Sequence, residues 1–297
     1  MKKLLLAILV VFNLESYSSY ILIPMDDSQS NHLKSYGIAF LSLQNDIKVD
    51  WLLNYKGGSF LIKHYLEIEK ECIVRGVSYQ IIADAQSTEI LKSISSPSVN
   101  QEVIRLEKTP KIAIYSPKHN QPWDDAVTMA LTYAEIPYEV IYDEEVLSGV
   151  LPLYDWLHLH HEDFTGQYGK FYASFKNASW YRQQKILFEQ LATKLGFNKV
   201  SKQKLAVSLK IKEFINGGGF LFAMCSATDS YDIALAAQNT DICAHMFDGD
   251  PMDSGAQSKL DYSQTLAFKD FRLVTNPNQY EFSNIDATST RKINSEV

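Results

Sequence analysis

The segment Gly217-Gly218-Gly219-Phe220-Leu221-Phe222-Ala223-Met224-Cys225-Ser226-Ala227 constrains the fold of this chain more than any other stretch. Its glycines stop a preceding helix and free the backbone for a turn. Phe220 to Met224 reads as a buried strand, and a helix over Asp229 to Ala237 follows almost at once. A strand that runs directly into a helix with a cysteine at the junction is the architecture of a nucleophile elbow. The turn is strained, so small residues flank the nucleophile and its side chain projects above the sheet. Free N–H groups at the helix start, from Ser226 and Ala227, favour thiolate over thiol and suit a developing oxyanion. The competing reading of Cys225 is an inert thiol buried at a tight turn.

The surrounding pattern supports a sheet of the right kind. Lys111 to Tyr115, Tyr138 to Tyr142 and Tyr154 to His160 read as strands. Helices are expected from Trp123 or Asp124 to Glu135, from Ala178 to Leu195, and from Lys202 to Ile215. Alternating strands and helices imply right-handed crossovers and a mostly parallel sheet, with ligands at the carboxyl ends of its strands. The loops to watch are therefore Ser116 to Pro122, which carries His119, then His161 to Lys170, and Cys225 to Thr228.

The first hundred residues form a separate, smaller α+β or α/β unit. Lys2 and Lys3 precede an apolar run, Leu4 to Phe12, too short to span a bilayer, so residues 1–19 read as a secretory signal. Export to the periplasm or beyond is the expectation, with residues 20–109 as the small unit and 110–297 as the larger domain. Asp26 to Lys34 reads as a linker, Tyr36 to Leu43 as a strand, and His64 to Arg75 as a helix stopped by Gly76. Val77 to Ala83 reads as a strand and Gln86 to Ile94 as a short helix. Gly57-Gly58, between two apolar segments, marks a tight turn or a close backbone approach.

Bulk properties narrow the function. An apolar fraction of 46% with 21% charged residues can bury a core. A net charge of −7 without a basic run disfavours a nucleic-acid partner. No later segment is apolar and long enough to be a transmembrane helix, and nothing in the sequence calls for a cofactor. The three cysteines, Cys72, Cys225 and Cys243, leave at least one free thiol, and Cys72 reads as a core residue of an amphipathic helix.

His158, His160, His161, Glu162 and Asp163 form a second constellation. Strand periodicity puts His158 and His160 on one face, a spacing able to grip a metal such as zinc. The alternative is that they pack under helices while His161, Glu162 or Asp163 works at a pocket rim. The loop after them, with Thr165 and Gln167, mixes glycines and aromatics in a way that suits either a ligand-facing loop or a surface turn. Asp248 to Gly255 is acidic but lacks calcium-loop spacing and reads as solvated.

The strand–Cys–helix pattern after a glycine turn resembles the class I glutamine amidotransferase-like superfamily, with Ala223-Met224-Cys225-Ser226-Ala227 in place of G-x-C-x-G. That resemblance implies a flavodoxin-like sheet and a Cys-His-Glu triad, the last two residues spaced by one. His245 is the only histidine after Cys225, and no acid stands at that spacing. The segments Trp51 to Phe60, Lys111 to Asp125 and His158 to Gly169 resemble exported bacterial proteins labelled asparagine synthetase B. Those relatives run longer, which implies a truncated C-terminus here. A synthetase needs an N-terminal cysteine and an S-G-G-x-D-S loop, whereas Lys2 occupies the second position and no such loop occurs.

Two classes of function follow from these residues. One is a cysteine-dependent hydrolase or amidotransferase with Cys225 as nucleophile, His161 or His245 as base, and Glu162 nearby. The residues expected to meet substrate are Ser226, Ala227, His119, Thr165 and Gln167. The other is a module of the same fold that binds a small molecule, glycan or partner without catalysis. A metal-dependent hydrolase on His158 and His160 is a third.

Overall fold

A computed structural model describes residues 19–117 and 126–286. The expected signal lies outside the described residues except for Ser19, and so do His119, Asp124 and Asp125. The described residues divide into two compact units. One is drawn from Met1–Thr109 and Ala130–Ile136, the other from Pro110–Met129 and Pro137–Val297.

The first unit runs β1 (Ser19–Ile23), α1 (His32–Gln44), β2 (Val49–Leu53), β3 (Ser59–Lys63), α2 (Leu66–Val74), β4 (Gln80–Ala83), α3 (Asp84–Ile94) and β5 (Glu102–Leu106). Its strands lie in the order β4-β1-β3-β2-β5, and every pairing is antiparallel. This unit is therefore α+β, not α/β. The turn between β2 and β3 is too short for anything but an antiparallel return. Gly57 in that turn has φ +78°, and a Cβ there would sit 2.3 Å from the Met25 carbonyl oxygen, so the close approach admits only glycine. Alternation divides the sheet into two faces. Ile21, Ile23, Phe60 and Ile62 pack with Ile38 of α1 and Cys72 of α2, while Leu22, Leu52, Leu61 and Ile82 pack with Ile94 of α3.

Tyr36 to Leu43, expected as a strand, is helical, and the expected linker Asp26 to Lys34 contains its start. Asn31 caps the helix by accepting from the Lys34 N–H. The buried positions Ser35, Ile38, Ala39, Ser42 and Leu43 follow helical spacing. Two of them are serines whose hydroxyls donate back to Asn31 O and Ile38 O, so the apolar count alone hides the period.

The second unit contains β6 (Ile112–Tyr115), α4 (Ala126–Ala134), β7 (Glu139–Ile141), α5 (Asp143–Leu147), β8 (Trp156–Leu159), α6 (Tyr172–Phe175), α7 (Ser179–Lys194), α8 (Val200–Asn216), β9 (Phe220–Ala223), α9 (Ser226–Ala236) and α10 (His245–Asp248). The residues of α4 from Ala130 onward cluster with the first unit. The sheet is fully parallel in the order β7-β6-β8-β9. The chain goes from β6 to one side and returns to β8 on the other, which opens a crevice beyond their carboxyl ends. One sheet face, including Ala113, Leu157 and Leu159, packs against Val207 and Ile211 of α8 and Ala227, Tyr231 and Leu235 of α9. β9 was expected to be buried but pairs only with β8 among the described residues. Phe220 and Phe222 are 60% and 46% exposed, while Leu221 and Ala223 pack on the core. An unbroken apolar run does not separate an edge strand from a central one.

A buried ion pair ties α8 to the ends of β6 and β7. Lys204 and Asp143 are 2% and 1% exposed, and the Lys204 Nζ lies 2.9 Å from Asp143 Oδ2. The same ammonium reaches the Tyr115 and Tyr142 hydroxyls at 2.8 and 2.9 Å and lies 4.3 Å from the Tyr142 ring centroid. Gln203 and Tyr115 donate to the Asp143 carboxylate as well. Removing the cation leaves a buried carboxylate without its counter-charge, which costs about 3–5 kcal/mol. Lys204→Met is expected to lower the urea midpoint correspondingly, and an unchanged midpoint would show the pair to be dispensable.

Candidate functional site

The loop leaving β8 and the turn leaving β9 are joined by a run of hydrogen bonds. The Leu159 carbonyl accepts from Met224 N–H at 2.9 Å, and the His160 carbonyl accepts from Ala227 N–H at 3.1 Å. The His161 carbonyl accepts from the Ser226 hydroxyl at 3.0 Å, and the Glu162 carbonyl accepts from the Ser230 hydroxyl at 2.9 Å. Between these anchors Cys225 has φ 48° and ψ −139°, a left-handed backbone for a residue with a side chain, and it precedes the first turn of α9. Its thiol is exposed. The junction therefore has the strained strand-to-helix geometry of an elbow.

His160, His161 and Cys225 converge there. A ring nitrogen of each histidine and the cysteine sulfur all lie within 4.8 Å of one another, His160 buried and the other two exposed. The two imidazoles stack with centroids 3.7 Å apart and planes 30° apart. His158, the expected partner of His160, is not in this group. It is 1% exposed and stacks on Phe222 with centroids 5.6 Å apart, because it sits inside β8 opposite that residue. His245 is also outside the group, exposed at the start of α10, where buried Phe247 occupies the inward position. The Glu162 carboxylate accepts from the His160 backbone N–H at 2.9 Å and so fixes its own loop.

The expected substrate contacts fare differently. Ala227 is fully buried in the core, and its N–H is engaged by His160 O. No backbone hydrogen bond from the Ser226 N–H is seen among the described residues, in contrast to that of Ala227. Thr165 and Gln167 are buried, at 3% and 6% exposure. The Asp163 carboxylate accepts from Thr165 N–H, the Thr165 hydroxyl and Gly169 N–H, and Gln167 donates to the Thr165 hydroxyl. Tyr168, Gly169 and Lys170 then coil inward with φ of 52°, 70° and 52°.

Four residues not singled out from the sequence form a linked set of charges beside the elbow: Asp286 and Tyr280 interact with the thiol, Asp286 also acts on Asp229, and Asp229 acts on Lys170. Lys170 is 1% exposed and donates to the carbonyls of Val274 and Glu281, each at 2.6 Å. That holds the segment bearing Tyr280 and Asp286. Burial lowers the Lys170 ammonium to about 8, against the opposing charges of Asp163, Glu281 and Asp229. Asp229, one helical turn after Cys225, is 3% exposed, and its Oδ2 has no hydrogen-bond partner among the described residues. Burial, then the charge of Asp286, pushes its carboxyl up to about 7. The four-residue spacing from Cys225 was the one readable signal for it. Burial and then Asp286 also push the Cys225 thiol upward, a direction that favours thiol over thiolate.

Elsewhere in this unit Asp241, Cys243 and Asp248 form a second cluster of ligand atoms. Lys199 pairs with Asp241, Asp248 and Asp250 and neutralises much of the acidic loop. Among the described residues no helix is long and apolar enough to cross a membrane. Comparison of the chain with protein-family models, curated proteins and solved structures finds no match.

The Asp229 carboxyl makes stability depend on pH. Below its ordinary value of 3.8 it is protonated in both states and contributes no difference. Between there and about 7 only the unfolded chain ionises it, so the wild type loses stability as pH rises across that window. Asp229→Asn is expected to gain on the wild type across that interval, by a few kcal/mol at most, and to hold the gain above it. A difference in melting temperature that stays flat with pH contradicts this.

Proposed function

We propose that the second unit is a glutamine amidotransferase-like domain of an exported protein, and that Cys225 performs acyl transfer on an amide. The parallel order β7-β6-β8-β9 supports the reading, since it matches the first four strands of a flavodoxin-like sheet. The observation that carries it is the exposed sulfur at a left-handed elbow with imidazole nitrogens within 4.8 Å. His161, the exposed member of the pair, takes the thiol proton as Sγ attacks the amide carbon. The oxyanion meets the Ser226 N–H, and the C–N bond breaks as the imidazolium returns its proton to the departing amine. Water, deprotonated by the same imidazole, then cleaves the thioester and releases the acid. Because burial and Asp286 both act against the thiolate, activation in this reading depends on that base at the moment of attack.

Those same two influences favour a second reading, a binding module that has kept the fold without the chemistry. Alkylation separates the two. Cys72 and Cys243 are 0% and 1% exposed, so iodoacetamide should modify only Cys225 in the folded protein. Base assistance predicts that His161→Ala slows the modification at neutral pH by at least about tenfold. Equal rates for the variant and the wild type across pH, both matching a free thiol, would leave only the binding module.

A further inference from the structure

The cluster at the elbow has the makings of a metal centre as well as of a catalytic pair. His160 and His161 present ring nitrogens and Cys225 presents its sulfur, all within 4.8 Å of one another. A tetrahedral zinc ion, with bonds of about 2.0–2.3 Å, needs donors roughly 3.5 Å apart, so small side-chain rotations close the remaining distance. The frame under the donors is already fixed, because the carbonyls of His160 and His161 are bound by Ala227 N–H and the Ser226 hydroxyl. The surroundings are acidic. Asp229 holds a buried oxygen without a hydrogen-bond partner among the described residues, and the charge of Asp286 reaches both Asp229 and Cys225. A divalent cation offsets that negative charge, whereas a thiolate adds to it.

We propose that His160, His161 and Cys225 bind a divalent transition cation of the zinc type, leaving a fourth position for water or a ligand. Two nitrogens and one sulfur with an open position form the donor set of a reactive rather than a purely structural site. Histidine lone pairs that ligate an ion cannot take a proton, so metal binding and base assistance exclude one another at any instant. The proposal does not rest on acyl transfer, since the donors would hold the ion whether or not Cys225 is a nucleophile.

Cobalt(II) is the probe, added to reduced, metal-free protein of full length. The expected result is a near-ultraviolet thiolate-to-cobalt band with visible bands of four-coordinate intensity, saturating at one ion and displaced by zinc. Cys225→Ser should remove the thiolate band. His160→Ala and His161→Ala should each weaken binding by at least about tenfold, a loss that even supporting residues of metal sites produce. His158→Phe, which keeps the stacking on Phe222, should bind normally, as should Cys243→Ser in the other ligand cluster. A thiolate band that survives Cys225→Ser, or no band at millimolar cobalt, overturns the proposal. Alkylation in the presence of a chelator is read separately, so failure of the metal site is distinguishable from failure of the nucleophile.

Discussion

The carbonyls of residues 159–162, each bound in turn by the β9–α9 turn, are the constraint from which the rest of the site follows. A left-handed backbone at a residue such as Cys225 costs on the order of 1–3 kcal/mol and persists only where its surroundings over-determine it. Here four successive acceptors are matched by Met224 N–H, Ala227 N–H and the hydroxyls of Ser226 and Ser230. At about 1 kcal/mol net for each bond, the run offsets the strain. It also binds the histidine loop and the cysteine turn into one body, so neither shifts without the other. The Lys204 network supports this from below by fixing α8 against the ends of β6 and β7, and α8 in turn packs on α9.

Charge decides what that body holds at rest. Asp163, Asp229 and Glu281 act on the buried ammonium of Lys170, which donates to the carbonyls of Val274 and Glu281, while Asp286 acts on Asp229 and Cys225. Burial first, and the charge of Asp286 second, favour the protonated forms of the Asp229 carboxyl and the Cys225 thiol. A new cation, whether an imidazolium formed during proton transfer or an ion bound from solution, is favoured in such a field. A preformed thiolate is not. The first-turn N–H groups of α9 do not reverse this, because Ala227 and Thr228 spend theirs on the carbonyls of His160 and Cys225.

The sequence carries the parallel sheet and the elbow plainly, because both rest on local signals: glycine stops, apolar runs and a cysteine between strand and helix. It conceals what depends on side-chain polarity or on distant segments. Ser35 and Ser42 hide the period of α1 by burying hydroxyls that bond to the helix backbone. β5 was not expected at all, since Glu102–Leu106 is a short run in which charged and apolar residues do not alternate, and only its pairing with β2 defines it. Lys170 and Asp286 are beyond local reading for another reason. They join the site through the return of the chain beyond Val274. Thr165 and Gln167 have the polar, glycine-flanked look of ligand contacts, yet Asp163 draws them inward to satisfy the loop's own donors.

The histidine pair shows how a small local event reorganises an expected site. Within a strand, neighbouring side chains point to opposite faces, so an extended β8 would part His160 from His161 and group His160 with His158. The strand ends at Leu159 instead. Beyond it the Glu162 carboxylate accepts the His160 N–H, in place of a partner on a neighbouring strand. The backbone turns there, and the two imidazoles lie against each other, tilted by 30° with centroids 3.7 Å apart. His158, one position inside the ladder, stays on Phe222. Its ring still lies 6.0 Å from that of His160, so the histidine spacing of the strand survives beside the new contact with His161. The bond from the His160 N–H to Glu162 thus belongs to the turn that brings both imidazoles toward Cys225.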